Sequence, residues 1–213
     1  MAPRRYRIEG RRKAMEATRR RILEATVALH AEQGALATSY AQIAARADVA
    51  VPTVYKHFPD LPQLVAACTS HVSALAPPLG PEIFAPGTGV EARIEALAAA
   101  IFALHRFQAP WMRHGLPEAG RLPVLAEFLA KEQARLRTLI ALALAPRFGE
   151  APPPALIALF ETLLDFSAWQ RLTRTLPEQS PEAVTQRALL ALARAETAKT
   201  QAQESARQRR RGS

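Results

Sequence analysis

The sequence predicts an all-α protein in two parts, a small N-terminal bundle and a larger helical domain. Three observations carry that prediction. Glycine is scarce, 9 in 213 residues, against abundant alanine and leucine, which disfavours sheet-rich architectures. Apolar residues recur at spacings of three and four from residue 19 onward, the period of an amphipathic helix. Proline and glycine fall in clusters that divide the chain into segments of ordinary helix length. A chain of this size buries a sizeable core without staples, and its single cysteine, Cys68, fits a reducing compartment.

The first helix is read from Arg19 to Gln33, with Ile22, Ala25, Thr26 and Leu29 on one face and Gly34 where a C-terminal cap belongs. Ser39 with Gln42 three residues on has the form of a capping box, which opens a short helix whose inner face is Ile43, Ala44 and Ala47. Asp48, Val49 and Ala50 make a tight connection, and Asp48 suits the left-handed conformation. Pro52 then falls in the first turn of a third helix, where its missing N–H costs nothing. A fourth helix is expected over 61–75. The breakers from Ala76 to Gly89 form a long loop, and further helical patterns follow near 90–107, 109–115, 122–146, 154–176 and 181–206.

Two short helices joined by three residues have the geometry of a DNA-reading helix-turn-helix. If Val54 and Phe58 hold the second of them to the core, then Val51, Pro52, Thr53, Tyr55, Lys56 and His57 are left outside. Thr53, Tyr55 and His57 can donate to phosphate oxygens. Lys56 can reach a guanine edge or a phosphate, and Val51 and Pro52 offer apolar contact.

The runs 20–34 (RRILEATVALHAEQG), 38–44 (TSYAQIA) and 49–58 (VAVPTVYKHF) together resemble the N-terminal domain of the tetracycline-repressor-like (TetR) family of bacterial transcription regulators. The resemblance covers about 50 residues and is strongest at 52–58. It implies an all-α homodimer with a three-helix DNA-binding domain and a C-terminal domain that binds a small molecule, and most members repress. The expected DNA contacts are Thr38, Ser39, Tyr40, Gln42, Val51, Pro52, Thr53, Tyr55, Lys56 and His57. Ala50 stands where the family usually places Ser, Asp48 for the usual Gly, Leu61 and Pro62 for common Lys and Glu, and His30 for an expected Phe. The expected layout is a flexible basic arm at 1–18, the DNA-binding domain with its connecting helix at 19–75, an effector-binding and dimerisation domain at 76–198, and a basic tail at 199–213.

Charge is concentrated at the ends. Residues 1–21 carry nine basic side chains against two acids, a net +7, and residues 199–213 carry +4, which leaves −2 for the body out of a total of +9. Between Ile22 and Leu64 only Arg46, Lys56 and histidines face four acids. A domain so weakly basic gains little from counterion release, so the arm, through Arg4, Arg5, Arg7, Arg11 and Arg12, is expected to follow the backbone or enter a minor groove. A tail without ordered contacts is the alternative.

In the larger domain, Phe102, His105, Phe107, Trp111, Met112, Phe166 and Trp169 are candidates for an apolar effector pocket, or for plain core. Leu156, Leu159, Phe160 and Leu163 on one helix and Val184, Ala188, Ala191, Leu192 and Ala195 on the last form stripes suited to a four-helix dimer interface, or to a monomer core. There is no Ser/His/Asp set, glycine-rich phosphate loop or HExxH, so no enzyme, metal or cofactor is expected. No apolar run spans a membrane and no secretory signal is present, so the expected location is cytoplasmic. The partners expected are a double-stranded DNA operator, a small-molecule effector and a second copy. A ligand-independent architectural DNA-binding protein is the rival reading.

Overall fold

The computed structural model describes the backbone of residues 4–211 and the side chains of 8–203 and 205–209. Among the described residues there are helices and no strands. In order they are α1 (Arg4–Gln33), α2 (Tyr40–Ala47), α3 (Val51–His57), α4 (Leu61–Leu75), a 3-10 turn at Pro81–Ile83, α5 (Val90–Glu118), α6 (Pro123–Phe148), α7 (Pro154–Leu163), α8 (Phe166–Thr175) and α9 (Pro181–Arg211).

The local signals of the N-terminal region act as expected. Ser39 caps α2 through its hydroxyl, which accepts from the Gln42 N–H at 3.2 Å, while the Gln42 side-chain Oε1 accepts from the Ser39 N–H at 2.8 Å. Asp48 closes α2 in the left-handed conformation at φ 52°. Ala50 begins α3 with no side-chain cap, and Asp60 caps α4 by accepting from the Gln63 N–H at 2.8 Å.

Three expectations are corrected. The stretch 4–18, expected as a flexible arm, continues α1, because it is mostly Arg, Lys, Ala, Met and Glu, strong helix formers, with Gly10 as its one weak former of note. The helical pattern read to 206 extends as α9 to Arg211, for the same compositional reason. The side chains of Arg4, Arg5, Arg7, Arg210 and Arg211 lie outside the described residues. Helix α5 runs through Pro110 and Pro117, where a break was expected. The segment 154–176 is instead broken, since Asp165 adopts extended backbone and its carboxylate accepts from the Ser167 N–H at 2.7 Å to start α8.

The chain forms two compact units. One holds the residues up to Ala76 together with Gln108–Ala130, and the other holds Pro77–Phe107 together with the residues from Lys131 onward. The first therefore takes in a segment that a boundary at residue 75 leaves to the other. Its main core gathers Ile22, Leu23, Leu29, Ile43, Ala44, Val54, Phe58 and Leu64, and a second cluster packs Ala35 and Val65 against Leu122 and Leu125.

Two polar ties support that inserted segment. The Trp111 indole N–H donates to the Val27 carbonyl at 2.9 Å. The Glu118 carboxylate accepts from the N–H groups of Ala35 and Leu36, at 2.9 and 3.1 Å. Gly34 makes the second tie possible: it sits at φ 89°, and a Cβ there would overlap the Glu118 carboxylate. In the other unit, the core is formed by Ile94, Leu97, Ala98 and Phe102 of α5, Leu139, Ile140 and Leu144 of α6, Leu156 and Phe160 of α7, and Leu189 of α9, all fully or nearly fully buried.

Candidate nucleic-acid interface

Helix α3 is seven residues long and has one inward side chain, Val54, with Phe58 closing its end; both are buried. That anchorage sets the rotation of the helix. Val51, Pro52, Tyr55 and Lys56 are exposed, Tyr55 to 52%, while Thr53 and His57 are half-buried. Of the six residues that the inward placement of Val54 and Phe58 leaves outside, four are exposed and Thr53 and His57 are only partly so.

The exposed tyrosine is not loose. Its ring stacks on Tyr40 at the start of α2, with centroids 4.4 Å apart and planes 15° from parallel. Burial, the Asp60 carboxylate and Tyr55 push the Tyr40 hydroxyl above its ordinary pKa, and its oxygen is buried without a hydrogen-bond partner. Tyr40 therefore acts as a floor for Tyr55. Nothing in the local pattern signals this stack, because the two residues are fifteen apart on different helices.

Around them, several expected contacts have local structural work. Thr38 donates to the Gly34 carbonyl at 2.6 Å, and the Gln42 side-chain Oε1 accepts from the Ser39 N–H and hydroxyl and from the Gln33 side-chain amide. Arg46 is held by Glu32 at 2.7 Å, so it adds little free positive charge. The balance is restored by Arg19 of α1, whose guanidinium lies 4.9 Å from the Phe58 ring centroid. Burial, Lys56 and Arg19 hold His57 below its ordinary pKa, which leaves it neutral at pH 7. Arg19, Lys56 and His57 thus gather at the C-terminal end of α3.

Residues 22–68 match the family model of bacterial regulatory proteins of the tetR family. Residues 22–68 thus carry a DNA-binding domain of the tetR family of bacterial regulatory proteins. Among solved structures, a putative transcriptional regulator from Streptomyces coelicolor A3(2), SCO7518, is 25% identical with a TM-score of 0.57, over 83% of this chain and 98% of that one. GusR of Salmonella enterica is 22% identical with a TM-score of 0.55, over 83% and 95%. Another tetR-family regulator from Streptomyces coelicolor is 16% identical with a TM-score of 0.62, over 92% and 88%. No curated protein sequence matches the chain.

The residues expected around an effector divide between the two units. Phe102, His105, Phe166 and Trp169 form one aromatic group in the unit that holds α7–α9. His105 lies 6.0 Å from Phe102, 5.5 Å from Phe166 and 5.7 Å from Trp169, centroid to centroid. Its Nε2–H donates to the Leu164 carbonyl at 2.9 Å, and burial lowers its pKa despite that bond and the nearby Asp165. Phe107 belongs to the same unit and is half-buried. Trp111 and Met112 belong to the other unit, and the Trp111 N–H expected to orient a ligand is donated to Val27 instead. An open cleft of about 530 Å3 lies beside α7 and α8, lined by Gln133, Glu161, Thr162, Asp165 and Arg171, none of which the sequence singled out.

The expected dimer residues also divide. Leu156 and Phe160 are buried in the core of their own unit, which corrects their assignment to an intersubunit face. The stripe expected on α7 mixes two sides of that helix: Leu156 and Phe160 face the core, whereas Leu159 points away from it and is 47% exposed. Leu163 and Leu192 are half-buried against that core, Val184 and Ala188 are half-buried, and Ala191 and Ala195 are exposed.

Among the described residues no group of three or more His, Cys, Asp or Glu could hold a metal, and no helix is long and apolar enough to cross a membrane.

Proposed function

We propose that this protein is a homodimeric repressor that reads a pseudo-palindromic operator with α3 and is released from it by a small apolar or aromatic effector. The observation that carries the DNA reading is the surface of α3: Val51, Pro52, Tyr55 and Lys56 face outward from an anchored helix, with Tyr55 braced on Tyr40 and two cations beside it. A two-fold dimer presents two such heads to one side of a duplex, with half-sites about one helical turn apart or a multiple of it. Tyr55, Thr53 and His57 position the helix on phosphates, and Lys56 and Pro52 read sequence.

Selection from a randomised duplex pool, followed by fluorescence anisotropy, tests this reading. Tyr55→Phe should weaken all duplexes alike, Lys56→Ala should also change the selected sequence, and Tyr40→Leu should mimic Tyr55→Phe by removing its support. A selected sequence that is unaltered by Lys56→Ala would overturn the placement of α3.

The effector enters the aromatic group of Phe102, His105, Phe166 and Trp169, where Trp169 is the least enclosed ring. His105, neutral and hydrogen-bonded to Leu164, ties α5 to the junction of α7 and α8, so a ligand that wedges among these rings displaces helices. A coupling of about 1–3 kcal/mol would lower DNA affinity roughly 5- to 150-fold. Trp111→Phe leaves Trp169 as the sole tryptophan reporter. Lipophilic cations, phenols and acyl compounds are then titrated, and saturable quenching by one class, with release of the selected duplex, is the expected result. Uniform lack of quenching would sink this effector site and leave the DNA reading standing.

A further inference from the structure

Residues 8, 15, 22 and 29 are spaced by seven along α1 and so fall in one line on its surface. Ile22 and Leu29 are buried in the core, whereas Ile8 is 61% and Met15 53% exposed. The apolar line therefore continues along α1 beyond the bundle as largely exposed side chains. Arg11, Arg12 and Arg19 lie three or four positions from it on either side, and all three are exposed. Arg12 is near Glu16 at 3.9 Å, but both are about two-thirds exposed, so this contact does not hold the guanidinium in place.

The chemistry of that face selects its occupant. A second copy of the same helix would set arginine against arginine, and two exposed heptad positions are fewer than a coiled coil needs. The body of the chain carries only −2, no match for a segment of +7. A duplex backbone offers both halves of the complement: phosphates for the guanidiniums and deoxyribose edges for Ile8 and Met15. Position adds to this, because Arg19 already stands beside Phe58, Lys56 and His57 at the end of α3, and Arg12 lies two turns further along the same side of α1. We propose that the N-terminal half of α1 is a second duplex-binding surface, a helical spur that grips the sugar-phosphate backbone outside the reach of α3.

This inference rests on the reading of α3 as the DNA-facing helix, and its test separates the two. The full chain is titrated into a fluorescein-labelled 30-base-pair mixed-sequence duplex across a salt series. Arg11→Gln with Arg12→Gln should lower the slope of log affinity against log salt by about 2, since each phosphate contact contributes about 0.9. Ile8→Ser with Met15→Ser should weaken binding without changing the slope. Circular dichroism and sedimentation of both variants should match the parent, because every substituted side chain is exposed. If the arginine variant keeps the parental slope and affinity while Tyr55→Phe weakens binding, the spur is refuted and α3 stands. If the parent binds no duplex, both readings fall. If Ile8→Ser with Met15→Ser changes the sedimentation coefficient and leaves DNA affinity alone, the occupant is a second copy and the proposal is overturned.

Discussion

At His30 an imidazole is buried within α1, and its Nε2 has no hydrogen-bond partner. Burial pushes its pKa down to about 4. The native state therefore refuses a proton that the unfolded chain accepts near the ordinary value of about 6.5. Stability is fully present above that unfolded value and is lost as pH falls from about 6.5 towards 4, by about 3 kcal/mol from this residue alone. His30→Phe should remove that share, so urea midpoints at pH 4.5 should rise relative to the parent while those at pH 7.5 stay much closer. Equal shifts at both pH values would place the acid sensitivity elsewhere, for instance at His105, which burial also holds low. The burial of His30 follows from its position four residues after Thr26 and seven after Leu23 on the inward side of α1, and that spacing makes it legible. The Tyr40 and Tyr55 stack is not legible, because it depends on how α2 crosses α3 and on no repeat within either helix.

Among the elements, the loop between α1 and α2 owes its shape to a distant carboxylate. Glu118 satisfies two backbone N–H groups that no helix provides for, at Ala35 and Leu36, and Gly34 leaves it room. Glu118→Ala should cost roughly 1–3 kcal/mol of stability by orphaning those donors, and Glu118→Gln, which keeps one acceptor, should recover part of it. Hydrogen exchange at Ala35 and Leu36 is the direct readout: both amides should lose protection in the alanine variant, and unchanged protection would show that the carboxylate is dispensable. Short-range chemistry was readable for α2, α3 and α4 because a capping box, a left-handed Asp and first-turn prolines each act within three or four residues. It failed for α5, where Pro110 and Pro117 read as breaks and the helix continues. The same holds for the allotment of Gln108–Ala130 to the first unit, which depends on partners about 60 to 90 residues away in sequence.

For the whole molecule, the decisive question is what covers the outward faces of α7 and α9. The core side of α9 is Thr185, Leu189 and Ala193, all buried. Helix geometry puts Val184, Ala188, Ala191, Ala195 and Ala198 away from it, half-buried or exposed, with the exposed Arg187 and Arg194 along one edge of the row. A row of small side chains on an outer face is suited to close helix approach by a partner, with the arginines at its border. Helix α7 offers Ala155, Ala158, Leu159 and Thr162 as exposed side chains without charge. The stripe expected on α9 is available only in part, since its Leu192 packs against the core of its own unit, and that on α7 mixes core with surface, because apolar residues on both sides of a short helix leave periodicity little to choose between. If these two faces form the two-fold interface, Ala191→Glu with Ala195→Glu brings like charges together across the axis and into an apolar contact. Sedimentation at micromolar concentration should then change from dimer to monomer. Affinity for a selected palindromic duplex should fall steeply, while affinity for a single half-site changes little, because each head is intact and only their pairing is lost. A parent that already sediments as a monomer, with or without duplex, would remove the dimer from the mechanism. A variant that stays dimeric would move the interface to another face.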